Sequence, residues 1–443
     1  MKAKGPQLTK SLALQEKAAG LIPGMSQLLS KRPDRFSRGV WPGYFSRAKG
    51  AEVWDLDGNR YTDMSIGGIG ANVLGYADPD VDDAVCSAIR NGVSSSLNCP
   101  EEVELAELLC EIHPWASMAR FTRAGGEAMA VAVRIARAHS GRDLIAFCGY
   151  HGWHDWYLAA NLETTGALAG HLMSGLNPLG VPKALSGSAL PFHYNRLDEI
   201  EEICAHHGER LAAIVMEPIR NDNPLPGFLE GVRALATKHG AVMIFDEISA
   251  AFRMNSGGAH LLFGVDPDMA VFSKALGNGY AIGAVIGRRE VMEKAQETFI
   301  SSTCWTERVG PAAALATVRK HQRLQAGDHL VRIGEMVQQG WRQLAASHAV
   351  PIKTGGIPPL SHFVFQDEQA MELKAYFVQL MLEKGFLATT LFYAMLAHRE
   401  EHVEQYLQAA DACFSLLAEA KKSGTLRSSL QGEPAAQGFG RLI

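Results

Sequence analysis

Val271-Phe272-Ser273-Lys274-Ala275-Leu276-Gly277-Asn278-Gly279-Tyr280 is an apolar run that stops at one lysine and enters a glycine-rich turn. Upstream, Ala241-Val242-Met243-Ile244-Phe245-Asp246-Glu247 is a second apolar run that stops at an acid. Runs this short and this apolar read as strands buried on both faces. Leu144 to Cys148, Ala212 to Met216 and Ile282 to Ile286 read the same way, the second ending at Glu217-Pro218. Helical stripes lie between them: Val103, Ala106, Leu109 and Ile112, then Phe228, Leu229, Val232, Leu235 and Ala236, which stop at Gly240. Such alternation predicts an α/β fold with a mostly parallel central sheet covered on both faces.

The flanks have a different texture. The first thirty or so residues predict a helical arm, then a loop. Ala51 to Asp63 predicts a hairpin, with Asp57-Gly58 supplying the positive φ of its turn. After Gly310 the helices lengthen: Met371 to Lys384 ends at Gly385, and Glu400 to Ala420 carries Val403, Leu407, Ala410, Phe414 and Leu417. The expected organisation is an N-terminal arm and hairpin (1–65), a large α/β domain (66–310), a smaller C-terminal α+β domain (311–423) and a loose tail (424–443). Residues 161–190 are rich in Gly and Pro and are expected to form a lid.

Composition narrows the functions. The 443 residues are 47% hydrophobic, enough for a well-buried globular chain of more than one core. A net charge of -5 with no long basic tract speaks against nucleic acid. No apolar stretch approaches membrane-spanning length, and Met1 to Lys10 has no signal-peptide core, so no membrane role is expected. Seven cysteines with no Cys-x-x-Cys pair fit reduced thiols in the cytoplasm.

Parallel sheets bind ligands at the carboxyl ends of their strands, and here three such ends carry Glu217, Asp246 and Lys274. Alone, a lysine after a strand is a solvated loop residue; with two acids at neighbouring ends it points to chemistry. An amine and a carboxylate so placed suit pyridoxal 5'-phosphate. Lys274 would hold its aldehyde as a Schiff base, and Asp246 would hold its pyridine nitrogen protonated. Ile248, two residues on, faces the same way as Asp246 and would cover one ring face. Gly125 and Gly126 open an alanine-rich helix whose N–H groups suit a phosphate. In Gly149-Tyr150-His151-Gly152-Trp153-His154-Asp155, Tyr150 would stack on the other ring face. A zinc site on His151, His154 and Asp155 is the rival for that segment. Its ligands are crowded and a fourth is not evident, so no metal is expected.

These motifs are specific enough to be matched. The chain resembles the fold-type I, class III pyridoxal-phosphate aminotransferases, and within them the glutamate-1-semialdehyde aminomutase branch, over roughly residues 20 to 420. The resemblance rests on the hairpin Val53 to Asn59, on Tyr150-His151-Gly152, and on the strand ends Glu217-Pro218, Asp246-Glu247-Ile248 and Ser273-Lys274. Gly257-Gly258-Ala259, Gly264 to Asp268 and Gly283 to Arg288 fit the same frame. It implies that Lys274 forms the cofactor linkage and carries the substrate proton. It implies that Asp246 holds the pyridinium, that Tyr150, His151, Glu217 and Ile248 surround the cofactor, and that Gly125 and Gly126 bind phosphate. It also implies a homodimer with active sites at the interface, where Thr306 (with Thr303 as substitute) of one copy reaches the phosphate of the other.

Two departures shape the expected activity. The phosphate motif of the family carries hydroxyls where this chain has Ala124-Gly125-Gly126. Losing such a bond costs about 1.5–3 kcal/mol, so weaker cofactor retention is expected. The aminomutase arginine after Ser-Pro-Val is also missing; Ser26 to Arg32 stands there, with Lys31 or Arg32 as stand-ins. The expectation is an aminotransferase moving an amine between an amino donor and a small carbonyl acceptor: a keto sugar, a keto acid or an amino aldehyde. The alternatives are a 2,1-aminomutase, a racemase or decarboxylase, and a non-catalytic binding protein that kept the fold. No Gly-x-Gly-x-x-Gly follows a strand with an acid at the expected distance, which speaks against hydride transfer.

Overall fold

The computed structural model describes residues 5–164, 166–171 and 175–436. They form two compact units. One is Pro79–Gly327; the other joins the described residues up to Asp78 to those from Asp328 onward. The sequence reading drew boundaries at 65/66 and 310/311, whereas the contacts draw them at 78/79 and 327/328. The helix Val309–Arg323 accounts for the second shift. It buries Ala312, Ala313, Ala314, Leu315 and Val318 and packs on Pro79–Arg90 and Pro100–Ile112, within the α/β unit.

That unit is built on seven strands: β1 (Met118–Thr122), β2 (Leu144–Cys148), β3 (Ala189–Pro191), β4 (Leu211–Met216), β5 (Val242–Asp246), β6 (Met269–Phe272) and β7 (Gly283–Gly287). They are ordered β1-β7-β6-β5-β4-β2-β3. The run β6-β5-β4-β2-β3 is parallel, while β7 is antiparallel to both β1 and β6. Every residue of β2, β4, β5, β6 and β7 is buried, which is why these segments read as unbroken apolar runs. The helix Gly125–Ser140 lies against this sheet through Ala128, Ala132 and Ala136, whose small side chains allow close approach.

Because β4, β5 and β6 are parallel neighbours, Glu217, Asp246 and Lys274 follow their ends on one sheet edge. The segment expected as a lid behaves differently in its described part. Leu168 and Val181 are buried in the main core, with Leu162, Ala167, Leu176 and Leu185 packed against them. Asn161 Nδ2 donates to Leu176 O at 2.6 Å, and Leu168 N donates to Asn161 Oδ1 at 3.0 Å. Apolar residues spaced along the segment anchor it. Positions 165 and 172–174 lie outside the described residues.

The second unit carries the expected hairpin, Glu52–Asp55 against Arg60–Met64. Arg60–Met64 also pairs in parallel with Phe386–Ala388, so its sheet closes with a distant segment. A second sheet joins Ile352–Gly355, Leu360–Phe365 and Leu391–Tyr393. Trp341, Phe363, Phe377 and Phe414 form an aromatic core there, and buried Trp341 Nε1 donates to Tyr406 OH at 2.8 Å. The tail expected to be loose is packed in its described part. Leu426 and Ala435 are buried, and Glu433 N donates to Arg38 O at 2.9 Å. Residues 437–443 lie outside the described residues. All seven cysteines are free. Among the described residues no helix is long and apolar enough to cross a membrane.

Candidate active site

Lys274 comes two residues after β6 and starts a tight turn, with φ 45°. A side chain held in this left-handed region costs roughly 1–2 kcal/mol, a strain concentrated at the residue with the reactive amine. Its Nζ donates to Ser249 Oγ at 2.7 Å. The residue is half-buried, and the pKa of its amine falls from 10.5 to about 8. Burial is the main cause, with Arg220 second; Glu217 and Asp246 oppose it, and Arg253 adds a smaller push downward.

Asp246 ends β5 and is buried. Its Oδ1 accepts from Ile248 N at 3.0 Å, and its Oδ2 lies 2.8 Å from His151 Nδ1. The other ring nitrogen, His151 Nε2, lies 3.1 Å from Cys148 O. A carbonyl only accepts, so Nε2 carries a hydrogen there. His151 thus ties Asp246 to the end of β2. Both its ring nitrogens are spent on these partners, so it supports Asp246 from behind.

Glu217 lies buried against the turn after β2. Tyr150 N donates to its Oε2 at 3.4 Å, and Arg220 Nη1 is 3.2 Å from both of its oxygens. Gly149 has φ 114°, and a Cβ there would meet Glu217 Oε2 at 2.7 Å, so this close approach requires glycine. Burial pushes the Tyr150 hydroxyl up, against an opposing pull from Arg220.

The helix start at Gly125 and Gly126 is enclosed. A Cβ on Gly125 would meet Ile248 Cδ1 at 2.9 Å, and one on Gly126 would meet His154 Nδ1 at 3.0 Å. His154 Nδ1 is buried without a hydrogen-bond partner. Ala124, at the cap position, has no hydroxyl to offer, and the Glu127 carboxylate reaches back only to Ala124 N (3.3 Å) and Arg123 N (2.8 Å). The bare N–H groups with a ring nitrogen beside them suit an anion.

Thr306 is exposed, and its hydroxyl donates to Thr303 O at 3.0 Å. Its neighbours are tied to the same helix start. Arg123 Nη2 donates to Trp305 O (2.9 Å) and Glu307 O (2.8 Å), and Trp305 Nε1 donates to Glu127 Oε1 (3.0 Å).

The structure therefore gathers Gly125, Ile248 and Asp246 with His151, and Tyr150 with Glu217, around the end of the sheet that carries Lys274. Arg32 is engaged in a buried two-point pair with Asp34 (Nε–Oδ1 3.0 Å, Nη2–Oδ2 2.6 Å). Sequence reasoning missed Ser249 and Arg220, and weighed His154 only as a rival zinc ligand. Arg220 had a signal, a base three residues after a strand-end acid; Ser249 had none.

Known proteins agree with this architecture. The aminotransferase class-III family model matches residues 37–413. The chain is 33% identical over 428 residues to the 3-aminobutyryl-CoA aminotransferase of Cloacimonas acidaminovorans (strain Evry), covering 94% of this chain and 98% of that one. It is 33% identical over 380 residues to the 2'-deamino-2'-hydroxyneamine transaminase of Streptomyces kanamyceticus, covering 85% and 91%. A solved transaminase with PLP bound superposes with a TM-score of 0.83 at 25% identity, covering 94% of this chain and 100% of that one.

Proposed function

The chain belongs to the class-III aminotransferase family, and from that premise we propose that it moves an amino group from a small amino donor to a small carbonyl acceptor, with Lys274 as its Schiff-base lysine. Pyridoxal phosphate is the cofactor. The residues present fit it. The glycine helix start that a Cβ would fill suits its phosphate, and the carboxylate of Asp246, held on two sides, suits its ring nitrogen. Tyr150 and Ile248 would flank the ring. When bound, the cofactor supplies an aldehyde that captures amines and a ring that accepts an electron pair.

The chain's own groups do the rest. Lys274, with its pKa near 8, keeps a usable fraction of neutral amine at neutral pH. Its Nζ would then move a proton from the donor carbon to the former aldehyde carbon, and in the second half-reaction from that carbon to the acceptor carbon. Ser249 Oγ positions that nitrogen, and His151 keeps the Asp246 carboxylate from rotating. The observation that carries this reading is the lowered lysine amine standing at the strand end beside that of Asp246.

The two relatives are named for different substrates, 3-aminobutyryl-CoA and 2'-deamino-2'-hydroxyneamine, so the acceptor stays a class: keto sugar, keto acid or amino aldehyde. A homodimer with Thr306 reaching the neighbouring phosphate belongs to the proposal. Seven free cysteines support a cytoplasmic setting.

A panel of amines read by the cofactor's visible band, with Lys274→Ala as blank, tests this function. Transfer of nitrogen that requires both a donor and an acceptor is the expected outcome. Isomerisation of a single substrate without either would replace the proposal with an aminomutase.

A further inference from the structure

Ile248 and Ser249 ride on a loop, residues 248–259, that doubles back on itself. Ala251 N donates to Glu247 O at 3.0 Å, and Phe252 N to Gly257 O at 2.9 Å. Phe252 is buried with φ 59°, a strained conformation that persists only where its surroundings over-determine it. The two ends of the loop meet in a polar cluster. Glu247, His260 and His113 are each fully buried. Glu247 Oε1 accepts from His260 N at 2.9 Å and lies 2.7 Å from His260 Nδ1. Trp115 Nε1 donates to His260 Nε2 at 3.0 Å. An indole only donates, so Nε2 is bare and Nδ1 carries the hydrogen that goes to Glu247. His113 is fixed in the same way: Nε2 accepts from Gly258 N at 2.9 Å, and Nδ1 donates to Leu109 O at 2.8 Å. The return is close. A Cβ on Gly258 would stand 2.5 Å from His260 Nδ1 and 2.9 Å from Glu247 Oε1, which gives Gly257-Gly258-Ala259 its reason. Glu247 Oε2 is buried with no hydrogen-bond partner among the described residues. A half-satisfied buried carboxyl costs stability that an apolar side chain would not, so packing alone does not account for it.

We infer that Glu247 and His260 are positioning residues: their buried bond closes the loop and thereby fixes Ser249 Oγ on the Lys274 amine and Ile248 against the Gly125 cradle. Glu247 N donates to Val271 O at 2.9 Å, so strand pairing runs one residue past Asp246, and the two acids leave the strand on opposite faces. One would meet the ring nitrogen while the other closes the loop, on a single stretch of backbone. Trp115 acts one step further out by selecting the His260 tautomer, and His113 by holding the return at Gly258. This role rests on the Lys274 reading above.

Capture of pyridoxal phosphate by cofactor-free enzyme is timed by the visible band at about pH 9.5, where the Lys274 amine is neutral and its placement decides the rate. Ser249→Ala releases the amine, and His260→Leu opens the loop while roughly keeping its volume. Each should slow capture about 10-fold, as a misplaced reacting group does. The double variant should be no slower than the slower single, because both act through one contact. His260→Asn, whose amide nitrogen stands where Nδ1 stood, should return to within about 3-fold of the wild type. Trp115→Phe lets His260 move its hydrogen to Nε2 and should give a smaller loss; it carries the test, alone and with Ser249→Ala, if His260→Leu does not fold. Urea midpoints are measured in parallel. Losses that multiply in the double variant, or a lowered midpoint with capture unchanged, make the pair merely structural and overturn the inference. Wild-type capture that borohydride reduction and peptide mapping place on a lysine other than Lys274 sinks the transaminase reading instead, and this role with it.

Discussion

The lowered pKa of Lys274 gives a prediction with a sign at every step. Only the neutral amine can attack the cofactor's aldehyde. With a pKa of about 8, about one lysine in eleven is neutral at pH 7; at the ordinary 10.5 it would be about one in three thousand. Capture of pyridoxal phosphate by cofactor-free enzyme should therefore run roughly 300-fold faster at pH 7 than an unperturbed lysine allows. The rate should climb about tenfold per pH unit and level off above pH 8. Stopped-flow absorbance with limiting cofactor, from pH 6 to 10, reads this directly. Two substitutions push the bend in opposite directions. Arg220→Gln removes a positive neighbour that disfavours the ammonium, so the bend moves up. Asp246→Asn removes a negative neighbour that favours it, so the bend moves down. A wild-type bend near pH 10, or both variants moving the same way, would refute the reasoning.

The same geometry supports further tests. Asp246→Asn should slow exchange of the donor's hydrogen with deuterated water by about 100-fold or more, measured by NMR; unchanged exchange would remove Asp246 from the chemistry. Gly125→Val adds carbon where Ile248 Cδ1 already stands 2.9 Å from a Cβ. Cofactor affinity should fall about tenfold, some 1.4 kcal/mol, and equal retention after long dialysis would contradict the cradle. Lys274→Met should stabilise the cofactor-free protein. The folded pKa lies below the unfolded one, so charging this amine opposes folding fully below pH 8, and the penalty fades between 8 and 10.5. Relief is worth up to about 3 kcal/mol, less about 1 kcal/mol for the lost bond to Ser249. A urea midpoint that drops at pH 7 would count against it.

Much of the sheet is legible in the sequence because its inner strands are buried on both faces. β2, β4, β5 and β6 are unbroken apolar runs, and their polar ends mark one edge. β1 escaped notice because Arg120 interrupts it and most of its residues are half-buried. The reversal of β7 was hidden as well, since an apolar run carries no direction. Residues 161–190 misled because glycine and proline suggest looseness, while Leu168 and Val181 were already enough to anchor the segment. The partners of Lys274 and Asp246 were a matter of three-dimensional placement. Ser249 is a small polar residue among apolar ones, and the inward turn of His151 toward Asp246 has no periodicity to announce it.

The pairing of Arg60–Met64 with Phe386–Ala388 bears on how the protein is made. A ribosome delivers residues 79–327 in full before the partner strand for residue 60 exists. The α/β unit can therefore condense during synthesis, while the amino-terminal hairpin waits, one edge unpaired, for a stretch emitted more than three hundred residues later. That exposed edge is a hazard for aggregation in the interim. Truncations before Phe386 should leave nascent chains that retain a protease-resistant middle and lose their beginning.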